Sequence, residues 1–119
     1  MHDSDRFAFR NSYAGQKEMA ELAFSLLTLR ANTPSGSWVD DHDSEAYQAV
    51  RAHARSLAGA EADEDLFLSV LNLADTVLRL LVAATGMEPE VWLARLHEDY
   101  IAPIDTTKTG VWDARELQI

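Results

Sequence analysis

A run of apolar residues from Leu66 to Ala84 constrains this chain more than any other feature. Leu66, Phe67, Leu68, Val70, Leu71, Leu73, Val77, Leu78, Leu80, Leu81 and Val82 cover most of the circumference of a helix. Ser69, Asn72, Thr76 and Arg79 make one narrow polar stripe. A helix apolar on nearly every side must be covered on nearly every side. The stretch is marginal in length for a bilayer and is interrupted by Asn72, Asp75 and Arg79, so it reads as a core helix and not as a membrane span.

Three further helices can be placed around it. The first is predicted over 15–31, where Met19, Leu22, Leu26 and Leu29 recur at helical steps and Ala23, Phe24 and Leu27 widen the stripe. Thr33-Pro34-Ser35-Gly36-Ser37 stops it. The second, over 43–58, has a thin apolar face of Tyr47, Val50, Ala54 and Leu57. Asp43 or Ser44 is its expected N-cap, and Gly59 suits its end. The apolar helix itself is predicted over 64–85, opened by Asp63, Glu64 and Asp65 at the positive end of its dipole and ended by Gly86. The fourth, over 89–101, starts with Pro89 in a first-turn position and carries Trp92, Leu93, Leu96 and Tyr100 on one face. Residues 1–13, with Phe7 and Phe9 alternating with polar neighbours, read as an N-terminal arm, and 104–119 as a C-terminal tail.

The expected fold is therefore all-α. It is a single domain over 1–119, a compact four-helix bundle-like arrangement with the apolar third helix at its centre and extended terminal arms. Three neighbours are few for a helix this apolar. A homodimer is expected, with Leu66, Leu68, Val70, Leu73, Val77, Leu80 and Leu81 in its interface or core.

Charge narrows the partners. Twenty acidic residues against ten basic ones give a net charge of −10. Phosphate backbones and anionic membranes repel such a chain, so direct nucleic-acid binding and membrane association are not expected, and a basic or partly apolar protein partner is. With no cysteine, disulfides, thiolate zinc sites and cysteine nucleophiles are excluded. The N-terminus lacks a basic region followed by an apolar run, and a cytoplasmic location is expected. Arg outnumbers Lys eight to two and Ala is frequent, the bias of a GC-rich genome such as that of an actinobacterium or its phage.

No catalytic set assembles from the sequence. His2, His42, His53 and His97 are scattered, and no His-x-x-x-His pair, Gly-x-Ser-x-Gly elbow or glycine-rich phosphate loop is present. Val82 to Trp92 has the cadence of a helix-turn-helix, but Glu88 and Glu90 would face DNA phosphates. Asp40, Asp41, His42, Asp43 and Glu45 crowd together without the ligand rhythm of a calcium loop. Trp38 beside that run, and Trp112 in the tail, have the character of interface anchors. Trp38, Asp40, Asp41, Asp43 and Trp112 are thus the candidate partner-binding residues of a non-enzymatic acidic interaction module that needs no cofactor.

Two alternatives stand beside this reading. Glu18 and Glu21 on the first helix, with Glu61, Glu64 and Asp65 before the third, resemble the acidic residues with which all-α nucleotide pyrophosphohydrolases hold Mg²⁺ or Mn²⁺ between facing helices. The resemblance implies a metal at Glu18, Glu21, Glu61 and Glu64 that neutralises a triphosphate and positions water. The chain departs from that pattern with Lys17-Glu18 in place of paired acids, and with its second group in a helix cap. The other alternative is an acidic nucleic-acid mimic, which needs the acids at 40–45, 61–65 and 98–99 aligned at phosphate spacing.

Overall fold

The computed structural model describes residues 3–32, 44–110 and 112–117. The protein is all-α, with no strand among the described residues. The helices are α1 (Asp3–Arg10), α2 (Tyr13–Asn32), α3 (Glu45–Ala58), α4 (Ala62–Thr85) and α5 (Pro89–Arg95), the last continued by a π-helical segment, Leu96–Ile101. The four expected helices are α2 to α5. The chain divides into two compact units, residues 1–71 with 111–119, and residues 72–110, so that the boundary falls within α4.

In the first unit α2 packs on α3, and α1 packs on both, in a small bundle. Most of the buried residues are small. Met19 and Ala23 of α2, Ala54 and Ala58 of α3, and Ala62 and Leu66 of α4 form the core. Alanines let helix axes approach closely, and this makes the thin apolar face of α3 sufficient. Ser44 is the N-cap of α3, its Oγ accepting from the Tyr47 N–H at 3.2 Å. Gly59 ends that helix at φ +68°, where its N–H donates to the Arg55 carbonyl.

The N-terminal arm differs from expectation, because residues Asp3–Arg10 are helical and not extended. An alternation of two aromatics is too short to separate a period of two from one of 3.6. The side chains that matter are spaced four apart. Arg6 lies over Gly59, and Arg10 reaches Asp65 of α4 with two hydrogen bonds of 2.7 and 2.9 Å. This bidentate pair, in which Asp65 holds the Arg10 guanidinium even more firmly protonated than usual, ties α1 to the start of α4. Between α1 and α2 the Ser12 hydroxyl donates to the Phe9 carbonyl and accepts from the Gly15 N–H, capping α2 while turning the chain. Of the three arm aromatics only Phe9 is half-buried; Phe7 and Tyr13 are exposed.

The second unit begins near the middle of α4. Gly86 closes that helix at φ +73°, its N–H donating to the Val82 carbonyl at 2.8 Å. Pro89 then opens α5, as its spacing predicts. Thr85 staples the corner: its Oγ1 donates to the Leu81 carbonyl and accepts from the Met87 N–H and from Trp92 Nε1. Arg95 stacks over the Trp92 ring, 5.5 Å from its centroid. Ala102 closes the π-helical segment on the His97 carbonyl. Beyond Pro103, Asp105 makes a turn with the Thr107 hydroxyl and N–H, which hold its carboxyl below the usual range.

Candidate functional site

The third expected helix, α4, is apolar round most of its circumference, but the described residues cover little of it. Of α4 only Ala62 and Leu66 are buried. Phe67, Leu68, Val70, Leu71, Val77, Leu80 and Leu81 are exposed, Phe67 and Leu80 by 62% and 63%. Leu73 and Leu78 are half-buried. Of the residues expected in an interface or core, then, Leu66 lies in the core, Leu73 is intermediate, and Leu68, Val70, Val77, Leu80 and Leu81 face solvent.

The exposure has a pattern. Steps of three and four place Phe67, Val70, Ala74, Val77, Leu81 and Ala84 on one stripe of α4, all exposed. Asn72, Thr76 and Arg79 lie on the opposite side. Asp75 and Arg79 pair with each other at 3.4 Å, four residues apart along the helix. α5 and its π-helical continuation add Val91, Leu93, Leu96 and Ile101, each 40–51% exposed. From residue 72 to residue 110 no side chain is buried.

The helical stretch that includes α4 is long and apolar enough to cross a membrane, a property shared by buried core helices. Only 6% of the qualifying window is buried here. Asp75 and Arg79 each cost about 2.5–3.5 kcal/mol at the centre of a spanning helix. The helix also begins with Asp63, Glu64 and Asp65 and has no basic residue in its last turn to anchor it at a headgroup.

Trp38, Asp40, Asp41 and Asp43 lie outside the described residues. Trp112 is half-exposed, at 48%, beside a tail anchor that no local motif announces. Asp113 is buried to 4%, with Arg115 Nη2 at 2.7 Å, the Arg115 N–H at 2.9 Å and Arg30 Nη2 at 3.4 Å. Residues 112–117 are thereby clamped to the end of α2. The hydrogen bonds from Arg115, assisted by the charge of Arg30, lower the Asp113 carboxyl from 3.8 to about 2. A depressed carboxylate supplies its share of stability above the ordinary carboxylate range and loses it as pH falls through the folded value. The Arg115 amide resonance should therefore shift with a midpoint near 2. Asp113→Asn should remove that step and raise hydrogen exchange across 112–117. A midpoint at the ordinary carboxylate value would mean that the clamp is not formed in solution.

The glutamates of the metal alternative stand exposed. Glu21 pairs with Lys17 at 3.8 Å, while Glu61 and Glu64 lend charge to Arg10. Among the described residues no three His, Asp or Glu side chains gather as a cation site. His53 and His97 are both exposed, and His2 and His42 lie outside the described residues. No protein-family model, curated protein or solved structure matches the chain.

Proposed function

We propose that this chain is a non-enzymatic helical protein-interaction module, and that its working surface is the uncovered apolar face of α4 and α5. One observation carries the reading: residues 72–110 are helical for most of their length yet bury no side chain. Ordering backbone costs about 1–2 kcal/mol per residue, and helices of this length are marginal in water without an apolar face packed against something. Exposed apolar patches of this extent mark sites of association. On α4 the face is chemically plain beyond Leu66, aliphatic side chains with one internally paired Asp and Arg, while Glu90, Arg95, His97, Glu98 and Asp99 lie exposed on α5 and its continuation. Such a face recognises another apolar helical face. The net charge of −10 keeps the rest of the surface soluble and favours encounters with basic surfaces.

Capture experiments with the full chain test this. Immobilised protein should retain a protein partner, its own copies included, and Leu80→Glu with Leu93→Glu should abolish retention. Both positions are exposed in the single chain, so the bundle of α1, α2 and α3 should stay folded. Equal retention by the variant would remove the face from the reading. A rise in melting temperature with Mg²⁺ or Mn²⁺, together with phosphate release from nucleoside triphosphates, would replace the reading with the hydrolase one.

A further inference from the structure

Resting on the interaction reading, we infer that the occupant of this face is a second copy of the chain, and that residues 72–110 acquire their core only between two protomers. α4 of one protomer lies along α4 of its partner through the stripe Ala74, Val77, Leu81 and Ala84, with the exposed Leu93 of α5 and Leu96 just beyond it adding apolar side chain.

Three features favour this occupant. The first is charge. The chain as a whole carries −10, and two copies repel at most of their surface. From Leu66 to Thr85, however, α4 holds one Asp and one Arg, already paired with each other, so this stretch is neutral. It is the place where like chains meet without a like-charge penalty, and it offers a basic partner nothing to pair with.

The second is area. Val77, Leu80, Leu81, Val91, Leu93 and Leu96, 38–63% exposed, offer on the order of 500 Å² of apolar side chain per copy, against ~800 Å² per partner in a standard interface. A two-fold contact uses the same patch twice, so both sides of the interface are supplied at once. Two copies together therefore bury on the order of 1,000 Å² in all, the level that a specific interface has to reach.

The third is shape. Residues at heptad steps form the seam by which helices pair lengthwise. The small side chains Ala74 and Ala84 flank Val77 and Leu81 along the stripe, leaving room at either end into which a facing helix can set its own larger residues.

Light scattering on the full chain decides the matter. The expected mass is twice the 13.2 kDa of one chain. Val77→Glu with Leu81→Glu should return it to one chain and lower the melting temperature. In a monomer these exposed positions would accept Glu with the melting temperature unchanged or raised, so the sign discriminates. Without any variant, the melting temperature of the native chain should rise with protein concentration. A native mass of one chain, or a doubled mass untouched by both substitutions, overturns the inference. A monomer that still captures a foreign protein through Leu80 and Leu93 fails self-association and leaves the interaction reading standing. A monomer that captures nothing removes both.

Discussion

Gly15→Ala should destabilise the protein by about 3 kcal/mol, the upper part of the range for overpacking. Helix propensity alone predicts the opposite sign, since Ala at a helical glycine gains roughly 0.5–1 kcal/mol. The contact decides. A Cβ at Gly15 would stand 1.8 Å from the Phe9 carbonyl oxygen and 2.7 Å from its carbon. Both are backbone atoms, so no rotamer change relieves the clash. α1 must lift from the start of α2, and with it go the Ser12 cap and the register that aims Arg10 at Asp65. For a domain of this size the midpoint of thermal unfolding should fall by roughly 10 °C or more. Exchange protection should be lost first in α1. A variant as stable as the parent, or more so, would mean that α1 does not sit on α2 through this glycine.

That contact shows where reading a sequence stops. The period of 3.6 placed α2, and its deepest residues, Met19 and Ala23, belong to the stripe that the spacing picks out. Ser44, Gly59, Gly86 and Pro89 act as the helix punctuation their chemistry implies. These signals are local, carried by neighbours a turn apart. α1 escaped because two aromatics in five residues fit either period. A helix there gains from what it touches 55 positions away, the Arg10–Asp65 pair. The Asp113 clamp on Arg30 spans 83 positions and has no local signature either. In composition Asp113 is one acid among twenty. The apolar circumference of α4 was fully legible, as was its need for cover. Which surface supplies the cover cannot be written in the period of one helix. Trp38 and the Asp40–Asp43 run, the most conspicuous surface signal, fall outside the described residues, while the exposed Leu and Val residues of α4 and α5 carry the candidate site.

Leu66→Ala separates the two ways in which α4 is stabilised. Leu66 is 6% exposed and, with Met19, is one of two large side chains in a core otherwise made of alanines. Removing three carbons from such a site costs about 2–5 kcal/mol, the higher values applying where the surroundings cannot collapse into the space. Alanine neighbours have no rotamers with which to refill it, so a loss of about 4 kcal/mol is expected. That loss comes from within one chain, and the drop in melting temperature should be the same at every protein concentration. Val77→Glu, about three turns beyond the last buried residue of α4, should behave in the other way. Its penalty should grow as the parent is concentrated and vanish on dilution, because it acts on an equilibrium between chains. Chemical denaturation of both variants across a wide concentration range makes the comparison. If Leu66→Ala costs less than 1 kcal/mol, the core assigned to the first unit is wrong. If both penalties ignore concentration, α4 is covered by its own chain in solution, and the exposed stripe is not the place where this protein meets a partner.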